Sequence, residues 1–260
     1  MKNCSKKAKK FLRNYLLSQP IHLAVPRAIE TRLYQKYLPL TTPILDLGCG
    51  DGFFTKTAFK KLIDVGLEIN FQKARTAKKE KIYKKVVLYQ GKKLPFPNNA
   101  FNSVFSNSVL EHIKNIDQTM PEIARVLKKK GKFIFTTPTE KFASYLLGRL
   151  FLGKIYESWH NKKACHFHLD SKKTWVKRLK KHGFKILDFE YYLNNKPAMW
   201  FFDLAHFLGV PNLIFKRLFN RWVLFPSLRQ IFPWEQIIRK LYSKGKKGKG
   251  AYMLFYCQKV

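Results

Sequence analysis

The chain has 260 residues and a formal net charge of +35 at pH 7, with 51 lysines and arginines against 16 acidic residues. This length is sufficient for one large domain whose core folds without disulfides. The four cysteines are widely spaced and form no C-x-x-C pair. This spacing favours a reducing, cytoplasmic location and argues against a structural zinc site.

The positive charge allows two interpretations. A strongly basic protein often binds nucleic acid or an anionic membrane. Lysine outnumbers arginine, however, whereas phosphate and base recognition favour the bidentate fork of arginine. The lysine excess therefore equally fits a compositional bias of the genome. Acidic residues lie mostly between positions 41 and 140, so the flanking segments carry most of the excess charge.

The first 40 residues are predicted to be helical. Apolar residues recur at helical spacing in 8–18 and again in 21–38, with Pro26 expected in the first turn of the second helix. Arg13 and Asn14 interrupt the apolar stretch at the start, which makes it a poor signal peptide.

From residue 44 onward, short apolar runs alternate with helical patterns. Strands are predicted at 44–47, 63–69, 86–90, 103–109, 132–138, 185–193 and 251–260. Helices are predicted at 53–62, 71–85, 120–131 and 171–184, the third closed by Gly131 and the last ending at Gly183. This alternation predicts an α/β fold with a doubly wound, mostly parallel, seven-stranded Rossmann-like sheet and helices on both faces.

Residues 196–245 interrupt this alternation before the last strand. The segment is rich in Phe and Trp, contains several prolines and basic residues, and is too long for a hairpin loop. We therefore expect a helical insertion, in which the prolines and charges argue against a membrane-spanning helix. Two interpretations remain open: a lid over the active site, or helices lying in a membrane interface.

The run "ILDLGCGDGFF" (44–54) places three glycines in five positions directly after a predicted strand. The pattern is neither a phosphate-binding loop nor a dinucleotide fingerprint, because Gly48, Gly50 and Gly52 form G-x-G-x-G. Asp46 precedes the loop and suits an ammonium group more than a pyrophosphate. Glu68 ends the second predicted strand, where it can accept the hydroxyls of a ribose. A nucleoside joined to a cationic amino acid satisfies these requirements.

Four motifs in this order resemble those of the class I S-adenosylmethionine-dependent methyltransferases, in particular the small-molecule-type group. They are "ILDLGCGDG", "GLEI", "LPFPNNAFNSVFSNSVLEHI" and "EIARVLKKKGKFIFTTP". The resemblance covers 41–140, with weaker similarity to residue 193. It implies a methyltransferase domain formed by 41–195 and 246–260, preceded by an N-terminal helical region at 1–40 and interrupted by the insertion at 196–245.

The resemblance also implies S-adenosylmethionine as the cofactor and assigns its contacts. Asp46 would orient the methionine part through the loop, Glu68 would bind the ribose hydroxyls, and Ile69 and Leu94 would flank the adenine. The implied cofactor-binding residues are Asp46, Gly48, Cys49, Gly50, Glu68, Ile69, Leu94, Ser106 and Asn107, of which Cys49 also suits a small apolar filler. Gly91, Lys92 and Lys93 stand where many relatives have Gly-Asp, so the adenine contact at that point departs from the family pattern.

His112 is the candidate catalytic residue. It is either a general base that removes a proton from the acceptor or a structural residue, and His160 and His168 are further candidates. The run "CHFH", with Cys165, His166 and His168, has no second half that would complete a metal site, and a packed loop is the preferred interpretation. No metal is expected.

The resemblance implies methyl transfer to a small or lipid-linked acceptor, such as a quinone, lipid or glycan precursor. The enzyme would be cytoplasmic and could associate peripherally with the inner face of the membrane. The alternative is an RNA methyltransferase whose basic surface binds phosphates. It is disfavoured because "SNSV" stands where a base-methylating N-P-P-[YF] motif would end the fourth strand. A third alternative is a degenerate cofactor-binding protein without activity.

Overall fold

The computed structural model describes residues 2–208, 210–219, 222–231, 236, 238 and 248–260. Its strands are β1 Ile44–Leu47, β2 Ile63–Glu68, β3 Tyr83–Leu88, β4 Phe101–Asn107, β5 Leu127–Pro138, β6 Phe184–Tyr192 and β7 Tyr252–Lys259. They form one sheet in the order β3-β2-β1-β4-β5-β7-β6. The pairs among β1 to β5 are parallel, and β7 runs antiparallel to both β5 and β6. The predicted seven-stranded, mostly parallel α/β fold is confirmed.

The α-helices whose bounds the structure describes lie mainly between the strands, with two before β1 and three between β6 and β7. They are α1 Lys2–Ser18, α2 Ile21–Tyr34, α3 Phe53–Ala58, α4 Phe71–Lys79, α5 Ile116–Val126, α6 Gly148–Lys163, α7 Lys172–Lys181, α8 Lys196–Leu208, α9 Val210–Phe219 and α10 Pro226–Ile231. The helical character predicted for 196–245 is therefore present at α8, α9 and α10. Residues 209, 220, 221, 232–235, 237 and 239–247 of that segment lie outside the described residues.

Two hydrophobic cores cover the two faces of the sheet. Consecutive strand residues point to opposite faces, so Phe105 packs in the core formed with α1, α2 and α8, while Val104 packs in the other. That second core receives Met120 from α5 and Trp175 from α7. The N-terminal helices are thus part of the same packed body as the sheet.

The predicted position of Pro26 is wrong. Helix α2 already begins at Ile21, after Pro20, so Pro26 lies in the second turn instead of the first. A proline there lacks the amide that would bond to the carbonyl of residue 22. The carbonyl of residue 22 therefore lacks its usual helical partner, and Pro26 itself is buried.

Several predicted helix ends are too late, among them those of α2, which ends at Tyr34, and α7, which ends at Lys181. Helix α3 ends at Ala58, and α4 ends at Lys79, so that β3 starts at Tyr83. Helix α5 ends at Val126, and Gly131 lies inside β5, not at a helix end. In the last two cases, long-range pairing overrides local helix propensity. The hydroxyl of Tyr83 bonds to buried Asp46, and Leu127 pairs with Phe101 next to an irregularity in the ladder.

Helix α6 is not among the predicted elements. Its sequence carries no simple amphipathic pattern, and the helix is interrupted at Gly153, which has φ 56° and ψ −135°. Across the described ranges, no helix combines the length and the hydropathy that crossing a membrane requires.

Candidate active site

The glycine loop follows β1 at the carboxyl edge of the sheet. The amides of Gly48 and Cys49 both donate to the carbonyl of Leu67 at 2.9 Å, which ties the loop to β2. Gly48 has φ +78°, and a Cβ there would lie 2.5 Å from a methyl carbon of Val109. Gly48 is therefore required by the close approach of the segment after β4.

Gly50 has a different role from its neighbour. It also has a positive φ, +58°, but a Cβ built on it would have no described atom within 4 Å. The backbone at Gly50 therefore borders open space beyond the carboxyl ends of the strands, where ligands bind in doubly wound sheets. A side chain would enter this space, so the loop leaves a recess lined by bare backbone, here called the cradle.

Glu68 holds this cradle in place. One carboxylate oxygen accepts the amide of Gly50 at 2.8 Å, and the other accepts the amides of Ile69 and Asn70 at 3.0 and 2.9 Å. A carboxylate offers about four lone-pair positions. Three are engaged by backbone donors, and the remaining capacity suits a hydroxyl of a ribose.

Asp46 lies behind the loop. One of its oxygens accepts hydrogen bonds from the hydroxyls of Thr55 and Tyr83, both at 2.6 Å, and the side chain is buried. Burial raises the pKa of Asp46 to about 7, an effect that these two hydrogen bonds partly oppose. Any effect of Asp46 on a bound methionine group therefore passes through the loop.

Cys49 faces the interior of the protein. A Cβ at Gly66 would lie 3.0 Å from its sulfur, so the thiol occupies the space that this strand glycine leaves. Burial raises the pKa of the Cys49 thiol well above its ordinary value, which keeps it protonated. These contacts agree with the filler role.

The predicted adenine side lies next to Glu68. The side chain of Ile69 is 65% exposed, and its carbonyl accepts the side-chain amide of Gln90 at 2.9 Å. Leu94 is buried and held by α5, because its amide donates to Glu122 at 2.8 Å. An apolar exposed side chain beside a fixed loop provides a surface on which a flat ring can pack. Lys92 is exposed on this loop.

The side chains at the end of β4 are bonded within the protein. The hydroxyl of Ser106 donates to the carbonyl of Leu47 at 2.9 Å, and the carbonyl of Ser106 accepts from Tyr34 at 3.3 Å. The side-chain oxygen of Asn107 accepts the hydroxyl of Thr136 at 2.9 Å. The hydroxyl of Ser106 and the side-chain oxygen of Asn107, both predicted to contact the cofactor, therefore bond to other residues of the protein.

Glu30 on α2 is a residue beside the candidate site that the sequence reasoning missed. It is fully buried and accepts hydrogen bonds from Arg27 at 2.6 Å, Asn107 at 2.8 Å, Tyr192 at 2.9 Å and Ser108 at 3.3 Å. One carboxylate thus joins α2 to the ends of β4 and β6. The sequence carries one indication that Glu30 is unusual, since it is the only acidic residue among the first 45.

His112 lies in a short turn after β4. Its Nδ1 is 3.1 Å from the carbonyl of Cys165, which can only accept, so Nδ1 carries the proton and Nε2 is the free base. Burial lowers the pKa of His112 below 6.5, which keeps the ring neutral at pH 7. This geometry is suited to receiving a proton.

The adjacent Glu111 is buried, and one of its oxygens has no hydrogen-bond partner among the described residues. Burial raises the pKa of Glu111 to about 8. The backbone carbonyl of Glu111 accepts the amides of Phe167 and His168. The "CHFH" segment is therefore a packed loop against the His112 turn, and within the described ranges no three ligand-type side chains are grouped to hold a metal ion.

Five histidines form a continuous row of ring contacts that ends at His112. Consecutive ring centroids are 4.8, 6.3, 6.2 and 5.3 Å apart. The histidine row runs through His22, His206, His160, His166 and His112. Burial lowers the pKa of His22 and His166 to about 3 and that of His160 to about 4, so these rings are neutral. Sequence reasoning missed the row because its members come from four separate segments.

These features together define a class of protein. A sheet of this order, a glycine cradle after β1 and an acidic residue at the end of β2 are the features of a nucleoside-binding Rossmann-like enzyme. The bare backbone at Gly50, the spare acceptor capacity of Glu68 and the exposed ring-packing surface of Ile69 fit an adenosyl group joined to an amino acid.

Comparison with known proteins identifies the family. Residues 45–135 match the family described as a methyltransferase domain. This part of the chain belongs to the class I S-adenosylmethionine-dependent methyltransferases, as its motifs predicted. The predicted enzyme class and cofactor are confirmed at the level of this domain.

Two sequence relatives extend this comparison. The chain is 33% identical to the malonyl-[acyl-carrier protein] O-methyltransferase of Legionella pneumophila over 44% of this chain and 43% of that protein. It is 35% identical to an uncharacterized protein of Methanocaldococcus jannaschii over 54% of this chain and 63% of that protein. The matches thus cover less than two thirds of either relative's length.

Solved structures show the same fold over nearly the whole chain. One is a methyltransferase of Thermotoga maritima described as a possible histamine N-methyltransferase, with a TM-score of 0.58, 18% identity and coverage of 98% of this chain and 99% of that one. Another is the geranyl diphosphate C-methyltransferase of Streptomyces coelicolor, with a TM-score of 0.57, 13% identity and coverage of 90% and 79%.

Proposed function

We propose that the protein transfers the methyl group of S-adenosylmethionine to a small or lipid-linked acceptor bound between the glycine loop and the histidine row. The observation that carries this proposal is the pairing of an open cradle at Gly50 with a neutral base at His112, both at the carboxyl edge of the sheet. The names of the relatives support it, since they include enzymes that act on a malonyl carrier and on geranyl diphosphate.

The cofactor supplies an electrophilic methyl group on a sulfonium that is already a good leaving group. The residues of the chain therefore bind and orient. In our proposal, Glu68 and the Gly50 backbone hold the ribose and amino acid parts, while Ile69 and Leu94 contact the adenine. Holding the acceptor in line with the methyl group can contribute on the order of 7 to 11 kcal/mol to the lowering of the barrier.

His112 would remove the proton of an oxygen, nitrogen or carbon acid. Its Nδ1 donates to the carbonyl of Cys165, which fixes the ring with Nε2 as the proton acceptor. Glu111 lies beside it, with one oxygen 3.9 Å from Nε2. Burial raises the pKa of Glu111, so at pH 7 it does not add a full negative charge next to the base.

The N-terminal helices favour a small acceptor over RNA. Glu30 ties α2 to Asn107 and Tyr192, and Phe202 of α8 packs against His22 of α2 with ring centroids 5.8 Å apart. In our proposal these helices cover the acceptor, so that a nucleic acid would have to unstack a base to reach the site. We extend the proposal to α8, which would act with α2 as the lid over the acceptor.

Product identification tests the proposed function. The protein is incubated with cofactor labelled in the methyl group and with cell extract separated into lipid, RNA and soluble metabolites. We expect label in the lipid or the soluble fraction. The control is a His112→Asn variant, which should bind S-adenosylhomocysteine with unchanged affinity but transfer less label. Label confined to RNA would establish the alternative, and failure to bind S-adenosylhomocysteine would refute the enzyme proposal.

A further inference from the structure

Helix α6 carries an exposed apolar surface at its kink. The side chains of Phe151 and Ile155 are each 79% exposed, and those of Leu150 and Leu152 are 60% and 58% exposed. Together these four residues form the α6 tip, with the positive φ of Gly153 in its middle. A cluster of large apolar side chains in contact with water is typical of an interaction site.

The surface continues from the α6 tip to α8. Ile155 and Trp159 are four residues apart and so share a face of the helix. The rings of Trp159 and Phe207 are stacked at 5.9 Å and 5°, and both side chains are partly exposed. The apolar surface therefore spans two helices.

Buried hydrogen bonds fix the two helices to each other. Asp203 of α8 is buried and accepts the amide of Gly148 at 2.9 Å and the hydroxyl of Tyr156 at 2.5 Å. These bonds hold the first turn of α6 and the residue next to Ile155. The α6 tip is thus preformed on a rigid support.

Positive charge surrounds the apolar surface. Helix α6 contains four basic residues and one acidic residue, Glu157, which pairs with Arg149 at 3.0 Å. The ammonium of Lys163 lies 4.8 Å from the ring centroid of Trp159. Exposed apolar residues, a tryptophan and lysines on one helix are the combination that binds the interface of an anionic bilayer.

We propose that the α6 tip inserts into the headgroup region of a membrane that contains anionic lipid. A second copy of the chain is a poor occupant for this surface, because a net charge of +35 opposes self-association and favours an anionic surface. The inference rests on the proposed function in one respect: the opposite face of α6 places His160 in the histidine row, so membrane docking brings a lipid-linked acceptor close to the site.

Vesicle binding tests the proposal. The protein is sedimented with vesicles of phosphatidylglycerol and phosphatidylcholine at low salt and compared with the double variant Phe151→Glu/Ile155→Glu. We expect the partition coefficient to fall at least about tenfold in the variant. The matched control is Leu62→Glu/Leu187→Glu, which changes two exposed residues elsewhere and the net charge by the same amount. It should retain binding within about twofold.

A second measurement locates the inserted residue. Fluorescence of a Phe151→Trp variant should be quenched by lipids brominated in the acyl chain, whereas that of Leu62→Trp should gain no comparable quenching. The proposal is overturned if the wild type does not bind these vesicles, if both double variants lose binding equally, or if light scattering shows a dimer that Phe151→Glu/Ile155→Glu dissociates. Calorimetry with S-adenosylhomocysteine on the same proteins reports on the cofactor site separately, so failure of docking and failure of the enzyme proposal are distinguishable.

Discussion

The carboxylate of Glu30 accepts the side-chain amide of Asn107 at 2.8 Å, which joins a helix before the sheet to the end of its fourth strand. Glu30→Ala would leave this amide, the hydroxyl of Tyr192 and the guanidinium of Arg27 without their shared acceptor. We expect the free energy of unfolding, measured with urea, to fall by about 3 to 5 kcal/mol. Glu80→Ala removes a surface pair with Lys56 and should cost less than about 1 kcal/mol. Equal losses in the two variants would contradict this assignment.

Glu68→Gln should weaken cofactor binding. The amide that replaces one oxygen cannot accept the Gly50 amide and the ribose as the carboxylate does. Hydrogen bonds to charged groups contribute about 1.5 to 3 kcal/mol, so the affinity for S-adenosylhomocysteine in calorimetry should fall about 10- to 100-fold. Asp64→Asn, at the other end of β2, removes the charge that faces Lys84 and should leave that affinity unchanged. An unaltered affinity in Glu68→Gln would refute the ribose contact.

Alanine at Gly50 and at Gly52 should separate binding from folding. Both positions have positive φ, so each variant carries a strain of about 1 to 2 kcal/mol. The Cβ at Gly52 also meets the backbone of Ala77 at 3.3 Å, which adds to the loss of stability. At Gly50 the Cβ enters the cradle, so cofactor affinity should fall by more than stability does. Thermal unfolding with and without S-adenosylhomocysteine measures both effects, and normal binding in Gly50→Ala would argue against the cradle.

His112→Asn should remove the base while preserving the hydrogen bond to Cys165. For an acceptor that must lose a proton, we expect kcat to fall about 10²- to 10⁴-fold. The pKa of His112 is lowered by burial, so the wild-type rate should decline only below pH 6.5, as the ring becomes protonated. The variant should lack this decline. His168→Asn, which alters the contact with the carbonyl of Lys114, is the control and should keep the wild-type profile.

Asp46→Asn should change how stability depends on pH. Burial raises the pKa of Asp46 from 3.8 to about 7, so the folded state binds more protons than the unfolded state between these values. The contribution of Asp46 is therefore fully present below pH 4 and lost as the pH rises to 7. The variant should lack this loss, and the difference between the two proteins in free energy of unfolding should grow by up to about 4 kcal/mol from pH 4 to pH 8. Parallel pH curves would show that Asp46 does not titrate in this window.

The cofactor half of the protein was predictable because its signals are local. The glycine loop, the strands on either side of it and Glu68 lie within 25 residues, and each follows from the pattern around it. The structure adds that two glycines of the loop are needed for different reasons. Position 48 must be glycine because Val109, which is remote in sequence, lies against it, whereas Gly50 borders open space.

The long-range contacts of the protein were not predictable in the same way. Tyr83 leaves a helical pattern because its hydroxyl bonds to Asp46, 37 residues earlier. Glu30 and Tyr192 are 162 residues apart. The histidine row combines residues whose spacing gives no periodic signal. Such contacts depend on tertiary packing, which overrides local propensity and leaves no trace in a short window of sequence.

The pairing of Tyr192 with Tyr252 has a consequence for how this protein can diversify. These residues are register partners on adjacent antiparallel strands, and their rings stack at 5.3 Å. All of the intervening chain is thus the connection of a single hairpin whose two ends are fixed side by side. A longer or shorter connection changes the loop-closure entropy by only about 0.6 kcal/mol per doubling, so the main constraint on this segment is its packing. Helix α8 lies in the core with α1 and α2, and Arg229 of α10 donates to the carbonyls of Leu16 and Gln19. A replacement segment would therefore have to preserve these contacts with α1 and α2, whereas the sheet and the glycine loop could stay unchanged.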